Sequence, residues 1–274
     1  MSISGGLEKA VELGDSIGCG AIQIFTKNNN QWKAKPLTAT EISKFKETWE
    51  KSGVKQIVAH TGYLINLANP LQNWEKSMES MEMEMVRADM LGIPYLVLHP
   101  GSHLGKGEDW GLKRIVESLN ILYSRHPELK VIVLLETTAG QGTNLGYTFE
   151  QLEYIIRLSD EPHRYGICFD TCHVFAAGYN IKTAKGYEET IAQFDKVLGL
   201  GRLKAFHLND SKYDWTSRVD RHEDIGKGTL GLEPFRFILN DSRFKEIPML
   251  LETPKEEGLE NDIKNLNILK SLIK

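Results

Sequence analysis

The sequence predicts an α/β fold in which parallel strands alternate with helices along the whole chain. Three observations carry this. Short apolar runs of strand length recur: Gln56-Ile-Val-Ala-His60, Tyr95-Leu-Val-Leu-His99, Val131-Ile-Val-Leu-Leu-Glu136, Tyr165-Gly-Ile-Cys-Phe-Asp170, Leu203-Lys-Ala-Phe-His207 and Met249-Leu-Leu-Glu252. Segments of helical character lie between them, and alternating units of this length make a parallel sheet. Each run closes on His, Asp or Glu, where ordinary strands end in the turn chemistry of Gly, Asn or Ser. A closed parallel barrel gathers the carboxyl ends of its strands on one face. Six metal-ligating residue types at those ends predict a TIM (β/α)8 barrel with a multinuclear metal site, and so a metal-dependent hydrolase or isomerase.

The elements follow in order. Residues 2–7 read as the loop after a strand and 8–17 as the helix after that loop, so Met1 stands where a strand should be ending. Residues 21–25 form the next strand. Residues 38–52 form a helix, opened by the capping box Thr38-Ala-Thr-Glu41 and stopped by Gly53. A longer helix runs from about Pro70 to Leu91 and closes at Gly92-Ile-Pro94. Later helices centre on 115–123, 149–158, 187–197 and 233–239, and a last one covers 261–273. This gives seven strands where a closed barrel has eight. The first strand is therefore expected to be missing, or reduced to a stub in residues 1–4. A chain extended upstream by a strand is expected to melt higher with the same metal content. No linker, repeat or low-complexity segment interrupts the pattern, so residues 1–274 are expected to form one domain.

Composition sets wide bounds. Hydrophobic residues make up 41% and charged residues 26%, enough for a large core. The net charge of −4 gives no global basic footprint, so a nucleic-acid partner would need a local patch or bound cations. No apolar stretch is long enough to span a bilayer, and no N-terminal signal pattern is present. Cys19, Cys168 and Cys172 form no zinc-ribbon spacing. They read as reduced, mostly buried thiols of a cytoplasmic protein.

The chemistry-bearing segments differ in weight. A single strand-end histidine such as His60 or His99 is more often a satisfied surface residue than a ligand. Glu136 follows an all-apolar run, and a carboxylate there must be paired or metal-bound to offset burial. Asp170-Thr-Cys-His173 sets two ligand types three residues apart, at a strand end turning into a loop; such pairs also serve as structural hydrogen bonds. Cys172 is either a soft zinc ligand or a residue of the barrel wall. Residues 217–228 are dense in charge and glycine, as solvated surface loops are. Against that plain reading, Asp220 and His222 would face the same side of an extended segment. Arg218, Arg221 and Lys227 flank them, and ligands beside cations suggest phosphoester chemistry.

Several segments together resemble one family. They are Thr26-Lys27-Asn28 with Gln31-Trp32, His60-x-x-Tyr63-Leu-Ile-Asn-Leu67, His99-Pro-Gly-Ser102, Glu136-Thr-Thr-Ala-Gly-Gln-Gly142, Phe169-Asp-Thr-Cys-His173, His207-Leu-Asn-Asp-Ser-Lys212, Ser217-Arg-Val-Asp-Arg-His222 and Glu252-Thr-Pro254. In this order, and over essentially the whole chain, they resemble the endonuclease IV family of apurinic/apyrimidinic endonucleases. The resemblance implies three Zn2+ ions, and since His/carboxylate sites take either metal, Mn2+ is an alternative at one of them. It implies hydrolysis of double-stranded DNA on the 5′ side of an abasic site, leaving a 3′-hydroxyl and a 5′-deoxyribose phosphate, with metal-activated hydroxide as nucleophile. By resemblance His60, His99 and Glu136 hold the first ion. Glu136, as the catalytic bridging carboxylate, shares the second with Asp170, His207 and Glu252. His173, Asp220 and His222 hold the third. Tyr63 and Leu64 match a pair that enters the minor groove at the lesion, although their segment also reads as an amphipathic loop packed on the barrel rim. Arg218, Arg221, Lys212 and Lys227 are expected to hold backbone phosphates. Asn30 stands where some members place an arginine that probes the base stack, so that contact departs from the pattern. A monomer with no membrane partner is expected.

Two other classes compete. Sugar isomerases and epimerases share this barrel type, but need only one or two ions and leave Asp220 and His222 without a task. A non-catalytic metal-stabilised barrel that only binds DNA or a partner would not need a full ligand set.

Overall fold

All seven predicted strands form, and the pairing within each part of the chain is parallel. The computed structural model describes residues 1–70, 73–255 and 257–274. The chain separates into two units, Met1–Leu135 with Tyr154–Gly166, and Glu136–Glu153 with Ile167–Lys274.

The first unit holds β1 (Ala21–Phe25), β2 (Gln56–His60), β3 (Tyr95–Leu98) and nearly all of β4 (Ile132–Glu136). Their registers place Phe25 beside His60, His60 beside Val97, and Leu98 beside Leu135. Ile57, Val58, Ala59, Leu96, Val97, Leu98, Val133, Leu134 and Leu135 are all buried. Such unbroken burial is what helices on a parallel sheet require. Around these strands lie α1 (Leu7–Ser16), α2 (Ala39–Lys51), α3 (Asn73–Leu91) and α4 (Glu108–Arg125). The capping box at Thr38 forms as predicted. α2 stops one residue early, at the Ser52 cap, and the Gly53 amide bonds Asp15 instead. The expected start of α3 falls partly on Leu71 and Gln72, which lie outside the described residues. At the N-terminus the Met1 amino group donates to the Gln23 carbonyl. Residue 1 therefore lies against β1, and among the described residues no strand precedes β1.

The second unit holds most of β5 (Tyr165–Asp170), then β6 (Leu203–His207) and β7 (Met249–Leu250). Here Asp170 pairs with His207, and His207 with Leu250, so these strand ends stand level. Phe169 packs edge-on against Phe194 at 5.9 Å and Phe206 at 5.5 Å, and Phe206 against Phe244 at 5.0 Å. α7 (Ala184–Leu198), α8 (Glu233–Leu239) and α9 (Glu260–Leu272) complete this unit, and α5 (Phe149–Leu158) begins in it.

Three expectations need correction. Residues 171–177 are not a loop but a short helix, α6 (Thr171–Ala177). The Asp170 carboxylate caps it by accepting from the His173 amide at 2.7 Å, and Gly178 ends it at a φ of 115°. The last strand is only two residues long, because the Glu252 amide donates to the Asn209 side chain at 2.7 Å. His99 stands one residue past β3, followed by Pro100, which has no amide hydrogen to continue a ladder.

Candidate metal centre

Level strand ends bring carboxylates and imidazoles together in the second unit. Glu136, Asp170 and His207 end β4, β5 and β6 and are fully buried. One ligand atom from each of Glu136, Asp170, His207 and Glu252 falls within 4.8 Å of the other three. His207 Nδ1 is 2.9 Å from Glu136 Oε1 and 3.1 Å from Glu252 Oε2. A second group joins His173 on α6 to Asp220 and His222. His173 Nε2 stands 3.1 Å from Asp220 Oδ1 and 3.4 Å from His222 Nε2.

The first unit places the other two predicted ligands side by side, with the His60 and His99 rings 5.6 Å apart. Three of the predicted ligand histidines have a backbone partner on Nδ1. His60 Nδ1 is 2.7 Å from the Thr61 carbonyl, His173 Nδ1 2.9 Å from that of Thr137, and His222 Nδ1 3.1 Å from that of Glu252. A proton fixed on Nδ1 leaves the Nε2 lone pair free to ligate, which is the usual arrangement around metal-bound histidine.

Charge tells the same story. Burial disfavours the imidazolium form of His173, yet the Asp170 and Asp220 carboxylates outweigh it and hold its pKa well above the usual value. His207 is also raised against burial, by Cys168, Glu252 and Glu136. Crowded buried anions that hold protons on imidazole are a site for cations, because a divalent ion neutralises the same charge and displaces those protons. The nine predicted ligands offer nitrogen and carboxylate oxygen, a set that suits zinc and also manganese. The residues therefore fit bound divalent metal.

Cys172 resolves differently. Its sulfur donates to the Arg221 carbonyl at 3.6 Å, and burial pushes its thiol up to about 12. The same sulfur lies within 4.8 Å of ligand atoms of Asp170 and His222, so Cys172 stands at the edge of the centre as well as in its packing.

Two positioning residues escape sequence reasoning. Asn209 is fully buried, and its side chain donates to Asp170 Oδ2 at 2.7 Å while accepting the Glu252 amide. It locks two candidate ligands to one amide. Asp210 accepts four backbone amides, from Ser211 (2.7 Å), Gly226 (2.9 Å), Gly228 (3.0 Å) and Leu230 (3.0 Å). Gly228 is required there, since a Cβ would stand 2.3 Å from the Ser211 carbonyl oxygen. Asp210 thereby ties down the loop that carries Asp220 and His222. Both asparagine and aspartate stand in the His207-Leu-Asn-Asp segment, but nothing in the local pattern marks partners so distant.

The predicted DNA-contacting residues are exposed. Tyr63 keeps 68% of its surface and Leu64 37%, so neither is packed away. Lys212, Arg218, Arg221 and Lys227 are exposed as well. The Lys212 amide donates to the Arg221 carbonyl at 3.0 Å, which sets those two cations opposite each other at the end of a short antiparallel ribbon. The Arg218 guanidinium lies 4.2 Å from the centre of the Tyr147 ring. Lys227 is paired with Asp224 at 2.7 Å. Asn30 is exposed in the loop after β1, its amide bonded to the Asn28 side chain.

The family model described as xylose isomerase-like TIM barrel matches residues 11–272. A protein named "Probable endonuclease 4" from Geobacter sulfurreducens is 54% identical over 275 residues, covering 100% of this chain and 93% of that protein. The chain belongs to the endonuclease 4 family. A second member, from Chloroflexus aurantiacus, is 48% identical over 274 residues, covering 100% of this chain and 96% of its own. The crystal structure of endonuclease IV from Thermus thermophilus superimposes with a TM-score of 0.89 at 34% identity, covering 99% of this chain and 96% of its own. The fold of this endonuclease 4 family member is thus a TIM barrel, and the protein is a hydrolase. A D-tagatose 3-epimerase-like protein, 20% identical with a TM-score of 0.71, covers 93% of this chain and 88% of its own and shares the fold alone. No helix among the described residues is long and apolar enough to cross a membrane.

Proposed function

We propose that this protein is a metal-dependent DNA-repair endonuclease that hydrolyses the phosphodiester bond 5′ to an abasic site. The observation that carries the reading is the meeting of Glu136, Asp170, His207 and Glu252 within 4.8 Å in a member of the endonuclease 4 family. Residues 1–274 are read as one endonuclease domain, supported by the family match over 11–272.

Three zinc ions are assigned by the family pattern: His60, His99 and Glu136 for the first, Glu136, Asp170, His207 and Glu252 for the second, and His173, Asp220 and His222 for the third. Manganese is the candidate replacement at one of them. Bound there, divalent ions supply Lewis acidity toward phosphate and a nucleophile from water at neutral pH.

The chain's own residues do the rest. Glu136, buried beside His207 and Glu252, would supply the carboxylate shared by the first two ions. Asn209 holds the Asp170 carboxylate and the Glu252 backbone in one orientation. Asp210 keeps Asp220 and His222 on a fixed loop. The backbone carbonyls of Thr61, Thr137 and Glu252 hold protons on Nδ1 of His60, His173 and His222. Lys212, Arg218, Arg221 and Lys227 are assigned to backbone phosphates, which position the duplex without reading sequence. Tyr63 and Leu64 are assigned to the gap left by the missing base, as wedge side chains are in kinked minor grooves. A nucleotide without a base has lost its stacking, so its extrusion toward the site is cheap. The products are a 3′-hydroxyl and a 5′-deoxyribose phosphate.

The test is incubation with a duplex holding one abasic site, with and without chelator, and sizing of the product. Cleavage 5′ to the lesion that chelator abolishes and zinc restores is the expected result; an intact duplex overturns the reading. A sugar epimerase or isomerase is the alternative on this fold. Elemental counting separates the two, since the third group of ligands has no role with one or two ions.

A further inference from the structure

Helix α3 buries a carboxylate halfway along its inward face. Glu84 is 1% exposed, and a buried carboxylate persists only when paired and hydrogen-bonded. Its Oε1 is 3.0 Å from the ammonium of Lys27, itself buried. Its Oε2 accepts the Gly62 amide at 3.0 Å. Lys27 also donates to the Gln31 carbonyl. Three residues further along α3, on the same face, Arg87 donates to the carbonyls of Thr26 and Lys35 at 2.9 Å each. One helix therefore holds two loops: residues 26–35 after β1 and residues 61–66 after β2.

These loops also hold each other. The Tyr63 amide donates to the Asn29 carbonyl at 3.2 Å. The Tyr63 ring stands edge-on to Phe25 at 5.4 Å. They come close at Gly62, where a Cβ would lie 3.0 Å from the Asn29 oxygen and 3.3 Å from Glu84 Oε1. Yet Tyr63 leaves most of its surface open. A side chain this exposed, on a backbone this firmly tied, is poised for a ligand.

We propose that Glu84, paired with Lys27, is a positioning residue for lesion recognition: it fixes the Tyr63–Leu64 loop and the Asn28–Gln31 loop as one preassembled element. The inference rests on the endonuclease reading above. The ordering cost of both loops is met on folding, so it is not charged against DNA binding. Neither Glu84 nor Lys27 touches the substrate. Each acts by setting where Tyr63 and Leu64 stand.

Glu84→Gln removes the charge with little change of shape. Gly62→Ala keeps both charges and requires the Asn29 carbonyl and the Glu84 carboxylate each to give way by a few tenths of an ångström, so it strains the same coupling by a second route. In both variants KM for an abasic duplex should rise about tenfold, equal to about 1.4 kcal/mol of binding. The kcat should stay within about twofold, because the interaction lost is one of binding, and metal content should not change. Tyr63→Ala should show the same split, and adding Glu84→Gln to it should cost little more. Hydrogen exchange should quicken in both loops of the Gly62→Ala protein, although the substitution lies in only one. An unchanged KM in both variants, or exchange confined to residues 61–66, would overturn the proposal. If the unaltered protein fails to cut an abasic duplex, it is the endonuclease reading that falls. The exchange measurement decides the coupling of the loops in either case.

Discussion

Replacing Glu136 by Gln keeps the shape of the side chain and removes one negative charge from a buried position. Glu136 Oε1 lies 2.9 Å from Nδ1 of His207 and 3.3 Å from Nδ1 of His173. A hydrogen bond to a charged group contributes about 1.5–3 kcal/mol net. Loss of charge at this meeting point should weaken metal affinity by about a hundredfold, or about 2.7 kcal/mol. With metal at about a thousand times its Kd, binding stabilises the fold by about 4.1 kcal/mol, and a hundredfold weaker site retains about 1.4. At about 2–4 °C per kcal/mol for a chain of this size, the melting temperature gained from metal should fall by about 5–10 °C. The metal-free protein should move the other way or not at all, since Glu136, Asp170 and Glu252 crowd one space and the variant removes one of three anions. The assay is thermal melting with and without zinc, elemental analysis, and incision of an abasic duplex, which should be largely lost. Full incision with unchanged metal content would refute the cluster. So would a metal-free variant that melts as far below its parent as the loaded one does, because Glu136 would then hold the fold rather than the metal.

Other consequences can be checked independently. Arg221→Ala should weaken DNA binding and flatten its logarithmic salt dependence by about one unit if it neutralises one phosphate; an unchanged slope in a binding titration would make it structural. Leu64→Ala should reduce incision at sub-saturating substrate with metal content intact, and normal incision there would mean the loop only packs the rim. Asp210→Asn turns an amide donor toward four backbone donors and should destabilise the protein by about 2–3 kcal/mol, seen as a lower denaturant midpoint, with metal lost first from the His173, Asp220 and His222 group. His126 is raised by its hydrogen bond to Glu82, 2.7 Å away. That pair's stabilisation is full below the unfolded histidine value of about 6.5 and disappears as pH rises through the raised folded value. The melting gap between the protein and a His126→Asn variant should therefore close on going from about pH 6 to about pH 9, and a constant gap would show that the pair does not titrate as described.

Strand-end chemistry was legible because a parallel sheet writes itself as apolar runs, and a charged residue that closes such a run stands out. The helix at Ala39–Lys51 announced itself by its capping box. α6 was hidden: seven residues are too few for a periodic signal, although its cap Asp170 and its stop Gly178 were both in view. Asn209 was silent for another reason. It joins Asp170 and Glu252, 39 and 43 residues away, and an amide that satisfies two distant partners has no local signature. Glu84 is one of several acidic residues on its helix, and what sets it apart is the pair of loops it binds. Sequence periodicity reports which face is buried; it is blind to a buried polar atom whose partner arrives from elsewhere in the chain.

Arg218 carries a last consequence. Its backbone sits at a φ of 53°, a left-handed setting that costs a side-chain-bearing residue about 1–2 kcal/mol. Its amide reaches back to the Ala176 carbonyl at 3.0 Å, and its guanidinium rests on the face of Tyr147. A cation laid on an aromatic ring at an exposed site recovers about 0.5–1 kcal/mol, which offsets part of the strain. Position 218 thus makes two demands that few residues satisfy together. Glycine would relax the backbone but present no charge. Lysine would keep the charge but lose the flat contact that holds it still. The choice at this position is narrowed from the inside, by the chain's own shape, before any partner imposes a preference.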